Sequence, residues 1–176
     1  MASKVNRAKK IKLIGMDIDG VLTGGQVIVL ESGEEVKLWN AKDRLGLALM
    51  RDTKIPIKTA WITGRQSRAV AHASKDLGIH YLVQKCRDKK KALSVIMKKA
   101  GVRPDETAFI GDDLIDLPAL RSVGFAACPR DAVADVRRDV HYISTRKGGE
   151  GAVRDICDFI LKAQNRWHTF VRPYVS

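Results

Sequence analysis

The chain has 176 residues, with 32 Lys and Arg against 20 Asp and Glu, a formal net charge of +12. That length suits one domain, and an apolar content of 45% can build a real core, which argues against wholesale disorder. No run of about 18 apolar residues is present to cross a membrane. Met1–Lys10 is basic, but the apolar segment and small-residue cleavage site of a signal peptide do not follow it. Cys86, Cys128 and Cys157 are odd in number and widely spaced, which suits reduced thiols in a cytoplasm better than a disulfide framework or a zinc site. The positive charge alone fits nucleic acid, anionic small molecules or a solvated surface. No nucleic-acid motif accompanies it, and Trp39, Trp61 and Trp167 read as packing residues rather than base-stacking platforms.

Residues 1–10 read as a loose basic lead-in, residues 11–164 as a single domain, and residues 165–176 as a tail apolar enough to dock. Ile11–Met16 is a short apolar run fit for a buried strand, closed by Asp17-Ile18-Asp19-Gly20. Val27–Leu30 and Val36–Trp39 flank Glu31-Ser32-Gly33-Glu34, which predicts a hairpin over 26–39. Lys42–Met50 has a loose helical spacing, and Pro56 ends that region. Ile57–Ile62 is the next strand, closing at Thr63-Gly64-Arg65. Ser67–Leu77 is alanine-rich and stops at Gly78, as a helix would.

Tyr81–Val83 is a short strand. Asp88–Ala100 is a helix stopped by Gly101. Thr107–Ile110 is a strand leading into Gly111-Asp112-Asp113. Leu114–Val123 reads as a helix with Pro118 near its first turn, where proline is tolerated. Phe125–Ala127 and His141–Ile143 are short strands. Gly151–Gln164 is a last helix with Val153, Ile156, Cys157, Ile160 and Leu161 on one face. Alternating strands and helices predict an α/β fold with a parallel sheet, whose ligands sit beyond the carboxyl ends of the strands. Asp17, Asp19, Thr63, Asp112 and Asp113 fall at those ends.

Carboxylates that converge repel one another, and desolvating each costs several kcal/mol unless it is paired. A convergent acidic site therefore calls for a cation, and hard oxygen ligands suit Mg²⁺ together with a substrate phosphate. Taken singly, the motifs have plain readings. Asp17-x-Asp19-Gly20 is a possible turn, Thr63 a possible helix cap, and Lys89 one of three adjacent lysines on a solvated face. The four histidines, His72, His80, His141 and His168, show no ligand spacing.

The ordered set is more specific. Asp17-x-Asp19-Gly-Val-Leu-Thr, Ile62-Thr63-Gly64-Arg65, Lys89 and Gly111-Asp112-Asp113-Leu-Ile-Asp116 each stand where a strand gives way to a loop or helix. In order and context they resemble the haloacid dehalogenase superfamily of phosphohydrolases, over nearly the whole stretch from Ile11 to Leu161. Within it the likeness is greatest to the family of 3-deoxy-D-manno-octulosonate 8-phosphate phosphatases. It extends to Gly33-Glu34-Glu35-Val36-Lys37, Asn40-x-x-Asp43 and Gly148-Gly149-Glu150-Gly151-Ala152-Val153-Arg154.

The resemblance implies a Rossmann-like parallel sheet with helices on both faces, no cap domain, and a protruding β-hairpin flap. It implies Asp17 as nucleophile, Asp19 as acid and base, and Mg²⁺ held by Asp17, the Asp19 carbonyl and Asp112. Thr63, Gly64, Arg65, Lys89, Asn40 and Asp43 would bind phosphate or substrate, with Thr63 and the Gly64 amide on the phosphoryl oxygens and Lys89 supplying positive charge. Asp113 or Asp116 would steer Lys89 or a metal-bound water. The resemblance further implies a cytoplasmic homotetramer, closed by hairpins and the Lys147–Arg154 segments of neighbouring subunits, that serves lipopolysaccharide biosynthesis, with no nucleic-acid or membrane partner.

This chain departs from the family at the sugar end. The family usually has glycine at Arg44 and Lys85, basic residues at Ala48 and Ala73, and an acidic residue at Gly24. Arg65 matches, where a sister group acting on nine-carbon ketosugar acid phosphates tends to carry Glu. Loss of the basic residues usual at Ala48 and Ala73 is enough to change substrate preference, so phosphatase action on a different sugar phosphate, for example a nine-carbon ketosugar acid phosphate, is the alternative within the class, unless Arg44, Arg68 or Lys85 compensates from another position. From another class, a receiver-type phosphorelay domain also combines acidic residues, Thr and Lys around Mg²⁺. Its phospho-acceptor usually follows a separate acidic pair on a later strand, whereas here the pair comes first and no lone Asp ends the strand at Thr63.

Overall fold

The computed structural model describes residues 3–51 and 57–175. The helix stop expected at Pro56 lies outside them. Eight strands and eight α-helices alternate: α1 (Lys4–Ala8), β1 (Leu13–Met16), β2 (Ile28–Val29), β3 (Glu35–Val36), α2 (Ala41–Arg51), β4 (Lys58–Ile62), α3 (Arg68–Asp76), β5 (Tyr81–Val83), α4 (Lys89–Ala100), β6 (Thr107–Ile110), α5 (Leu117–Leu120), β7 (Phe125–Cys128), α6 (Ala134–Asp139), β8 (Tyr142–Ile143), α7 (Ala152–Ala163) and α8 (Trp167–Val175).

Six strands form one sheet in the order β5-β4-β1-β6-β7-β8, and every pairing in it is parallel. The chain runs outward from β1 through β4 to β5, then crosses to β6 on the other flank of β1. The order therefore reverses at β1 and β6, and ligands of open α/β sheets bind beyond the strand ends at such a point. β2 and β3 pair antiparallel as a separate hairpin.

Successive strand residues feed opposite faces, as the period of two requires. Ile14, Met16, Trp61, Ala108, Ile110, Phe125 and Ala127 pack with Leu47 and Met50 of α2, Val70 and Ala73 of α3, and Val153, Ile156, Cys157, Ile160 and Leu161 of α7. Leu13, Ala60, Ile62, Phe109, Ala126 and Cys128 pack with Leu93, Ile96 and Met97 of α4, Ala119 and Leu120 of α5, and Val136 of α6. The five apolar residues read as one face of the last helix are all fully buried.

Some sequence expectations need correction. The lead-in is not loose: Ser3 caps α1 by accepting from the Asn6 amide at 3.3 Å, and Arg7 donates to the Gly124 carbonyl at 2.9 Å. The helix expected over Leu114–Val123 is a 3₁₀ turn, Leu114–Asp116, followed by the short α5. α6 has no counterpart in the sequence reading. The apolar tail forms α8, whose Trp167 ring lies 4.7 Å from the Lys162 ammonium. His80 and His141 serve the sheet, each offering Nδ1 to a strand amide, that of Thr59 at 3.2 Å and that of Ala126 at 2.9 Å. Trp39 stacks on buried Trp61 with centroids 5.5 Å apart.

Candidate active site

β1 delivers Asp17 and β6 delivers Asp112 to the same end of the sheet, because the two strands are in register from Leu13 opposite Thr107 to Met16 opposite Ile110. Carboxylate oxygens of Asp17, Asp112 and Asp116 come within 4.8 Å of one another. Lys89, at the start of α4, reaches them from across the sheet. Its ammonium lies 2.9 Å from Asp17 Oδ2 and 2.6 Å from Asp116 Oδ1. Asp116 Oδ2 accepts from the Asp112 and Asp113 amides at 3.0 and 3.3 Å, which folds the chain back as the 3₁₀ turn. Asp113 instead accepts from the Leu114 amide at 2.7 Å. Of the two aspartates left as alternatives for steering Lys89, Asp116 makes the contact.

Thr63 follows β4 and is buried. Its hydroxyl oxygen accepts from the Arg65 amide at 3.2 Å, which leaves the O–H proton to donate into the pocket. Asp17, Asp19, Thr63, Gly64, Arg65, Lys89, Asp112 and Asp113 line one cavity of about 270 Å³, together with Gly25 and Ile115.

Asn40 and Asp43 are not brought into this cavity. Asn40 donates to the Gly149 carbonyl at 3.1 Å. Asp43 is buried and accepts from the Gly151 and Arg154 amides at 3.1 and 2.8 Å. Both therefore anchor the loop that precedes α7. That loop presses on the site: a Cβ on Gly148 would stand 1.9 Å from the Gly20 carbonyl oxygen. Arg44 pairs with Asp76 on the surface between α2 and α3. Lys85 has φ +54°, the left-handed backbone that glycine adopts most easily and that matches the family's usual residue there.

Lys37 is a site residue the sequence reading did not single out. It stands just past β3, its side chain is only 1% exposed, and it forms an ion pair with Asp19. It also lies 3.4 Å from Glu35 Oε2, while Glu35 Oε1 accepts from Arg65 Nε at 3.0 Å. The signal was a charged pair two residues apart in the hairpin, Glu35 and Lys37, and so on one face of a strand.

The electrostatics follow from burial. Desolvation, with the neighbouring Asp116 carboxylate and against the pull of Lys89, pushes the Asp17 carboxyl up to about 6. Desolvation, with Asp116 and Asp17 beside it, pushes Asp112 up to about 7. Burial alone would lower the Lys89 ammonium, but Asp17 and Asp116 hold it above the ordinary lysine value. Asp112 Oδ1 is buried and accepts no hydrogen bond from any described residue. An unpartnered buried carboxylate oxygen, beside two more carboxylates and a single ammonium, is the donor set a small divalent cation fits. Gly20, at φ +86°, leaves that space open, since a Cβ there would stand 2.0 Å from Asp112 Oδ2.

An acidic pocket at the switch point of a parallel α/β sheet, with no further domain covering it among the described residues, defines a phosphohydrolase of the haloacid dehalogenase type. Residues 59–156 match the family model described as haloacid dehalogenase-like hydrolase. The chain is 36% identical over 167 residues to 3-deoxy-D-manno-octulosonate 8-phosphate phosphatase KdsC of Escherichia coli K12, covering 94% of this chain and 87% of that protein. The crystal structure of the Moraxella catarrhalis 3-deoxy-D-manno-octulosonate 8-phosphate phosphatase, in complex with magnesium, phosphate and KDO, superposes with TM-score 0.93 at 41% identity and covers 97% of each chain. The cobalt-bound form of the Haemophilus influenzae deoxy-D-mannose-octulosonate 8-phosphate phosphatase superposes with TM-score 0.91 at 34% identity, covering 97% of this chain and 99% of that one. The chain belongs to the haloacid dehalogenase superfamily, in the family of these octulosonate 8-phosphate phosphatases, and is a phosphoric monoester hydrolase.

Proposed function

We propose that this enzyme hydrolyses 3-deoxy-D-manno-octulosonate 8-phosphate to the free sugar acid and inorganic phosphate, in a Mg²⁺-dependent reaction through an aspartyl-phosphate. The observation that carries the reading is the convergence of Asp17, Asp112 and Asp116 carboxylate oxygens within 4.8 Å, with Lys89 between Asp17 and Asp116 and a buried Asp112 oxygen left unpartnered. The carboxylates of Asp17 and Asp112 and the backbone carbonyl of Asp19 would hold Mg²⁺. When bound, the ion supplies the charge that lets an anionic nucleophile approach an anionic phosphate.

An Asp17 oxygen attacks phosphorus and the bond to the sugar oxygen breaks. Asp19 gives its proton to that leaving oxygen. It then takes a proton from the water that attacks the phosphoaspartate, and the bond between phosphorus and Asp17 breaks to release phosphate. Thr63 and the Gly64 amide donate to the phosphoryl oxygens, and Lys89 offsets their charge. Asp116 keeps Lys89 aimed between itself and Asp17. Arg65, which lines the pocket and pairs with Glu35, would meet the sugar acid carboxylate.

We further propose a cytoplasmic homotetramer that serves lipopolysaccharide assembly. Support comes from the hairpin, where Val27, Ile28, Val29 and Leu30 are all exposed, as is Leu38, a run more apolar than solvent-facing strands usually tolerate. Three free thiols accord with a reducing compartment, and no described helix is long and apolar enough to cross a membrane.

The test is phosphate release from the eight-carbon substrate, a nine-carbon ketosugar acid phosphate and a hexose phosphate, with Mg²⁺ and after chelation. The eight-carbon compound is expected to lead, and chelation to stop turnover. Asp17→Asn is expected to lower kcat by on the order of 10⁴-fold or more, as removal of a nucleophile does. Retained turnover would refute the nucleophile.

A further inference from the structure

Asp19 and Arg65 both line the pocket, one after β1 and one after the neighbouring β4. The hairpin joins them. Lys37 is paired with Asp19 and lies 3.4 Å from Glu35 Oε2, and Glu35 Oε1 accepts from Arg65 Nε at 3.0 Å. The Lys37 side chain is 1% exposed, against 16% for Glu35 and 19% for Asp19. An ammonium that far from water is held in one place by two carboxylates. It in turn fixes the Asp19 carboxylate, which otherwise stands on a mobile two-torsion arm at the cavity edge. Among the described residues Lys37 makes the ion pair with Asp19, and the Arg65 guanidinium is near enough for the Asp19 charge to act on it.

We propose that Lys37 is the positioning residue for Asp19. It holds Asp19 Oδ1, which leaves Oδ2 as the oxygen that carries the proton to the leaving oxygen, and Glu35 locks Lys37 and Arg65 into one unit, so that the hairpin sets the proton donor and the substrate-facing arginine together. The inference rests on the acid–base role of Asp19 and adds the group that aims it. Proton transfer demands a donor within hydrogen-bond reach of the oxygen that accepts the proton, and such transfer contributes about 10²- to 10⁴-fold. That contribution is needed for a sugar alkoxide, a poor leaving group. A nitrophenolate leaves without a proton.

The experiment follows the first step alone. Pre-steady-state release of the leaving group is measured with Mg²⁺ for 4-nitrophenyl phosphate and for the octulosonate 8-phosphate. Lys37→Met is expected to slow the sugar burst by tenfold or more relative to the nitrophenol burst, with KM for the sugar phosphate little changed. Lys37→Arg is expected to recover part of the loss. Adding Lys37→Met to Asp19→Asn is expected to cost nothing further on the sugar burst, because the group that Lys37 aims is already gone.

The outcomes separate. If Asp19→Asn slows both bursts equally, the acid–base reading of Asp19 fails. If Asp19→Asn splits the substrates and Lys37→Met slows both equally, or acts through KM alone, Lys37 is a structural or substrate-binding residue and the inference is overturned. Should Lys37→Met not fold, Glu35→Gln, which loosens Lys37 from the hairpin side, carries the same comparison, and an unchanged ratio of bursts overturns the proposal.

Discussion

Asp116 Oδ1 lies 2.6 Å from the Lys89 ammonium, and the Asp116 side chain is wholly buried. Its second oxygen holds the Asp112 and Asp113 amides, so one carboxylate organises both the cation and the loop that presents Asp112. Without Asp116, Lys89 still pairs with Asp17, but the two amides lose their acceptor, at about 1–3 kcal/mol for each unsatisfied buried group. Asp116→Ala is therefore expected to lower unfolding stability by that order in urea titration and to lower kcat together with it. Asp113→Ala loses only a contact to the Leu114 amide and is expected to be far milder in the same titration.

Asp43 lies in no cavity wall, yet it fixes the loop that backs the site. Two amides, from Gly151 and Arg154, donate to it in a buried setting. Leaving such groups unsatisfied costs about 1–3 kcal/mol each. Asp43→Ala is expected to lower the melting temperature and kcat while leaving nitrophenol release per folded molecule at least partly intact. Full activity and unchanged melting would contradict the anchoring role.

Gly20 faces the Asp112 carboxylate at 2.0 Å from a built Cβ, on backbone with φ +86°. Gly20→Ala must displace Asp112 Oδ2 or the loop. The expected result is a weakened response to Mg²⁺ in activity titrations, larger than the loss of thermal stability would explain. A Mg²⁺ half-saturation equal to the parent's would refute it.

Burial raises the Asp112 carboxyl to about 7 and the Asp17 carboxyl to about 6, from a reference of 3.8. Between that reference and the raised values, the folded metal-free chain holds protons that the unfolded chain has released. These two groups therefore add stability as pH falls through that window and withdraw it as pH rises, opposite to a salt-bridged carboxylate. Mg²⁺ requires both deprotonated, so it meets less proton competition at high pH. The rise in melting temperature on adding Mg²⁺ is expected to be greater near pH 8 than near pH 5.5, as read by calorimetry. A shift independent of pH would sever the ion from this pair.

Val29 and Leu38 are 58% and 65% exposed on the hairpin. If the hairpin closes the homotetramer proposed above, charging both, as Val29→Lys with Leu38→Lys, is expected to reduce the mass seen by light scattering without unfolding the sheet. An unchanged mass would place the assembly interface elsewhere.

Much of the sheet could be read from residue order because its strands are short, apolar and closed by polar or glycine-bearing turns. Tyr81–Val83 and Thr107–Ile110 have the same limits in sequence and structure. The acidic site was legible for the same reason, since Asp17, Thr63 and Asp112 each stand just beyond a strand. What escaped reading lacks local apolar period. α1 buries only Ala8 and α6 only Val136, so neither shows a helical stripe. The 3₁₀ turn at Leu114 depends on Asp116 bonding backward to two amides, which no propensity encodes. The Lys37–Asp19 pair spans 18 residues and exists only once the hairpin folds over the strand end.

The three thiols differ in access. Cys128 and Cys157 are buried, and desolvation pushes the Cys128 thiol up to about 12, where little thiolate forms. Cys86 is half-buried, and its amide donates to the Thr63 carbonyl at 3.0 Å, next to the phosphate-facing loop. Burial raises the Cys86 thiol as well, so a maleimide dye is expected to label the unmodified enzyme slowly, and at Cys86 ahead of the two buried thiols.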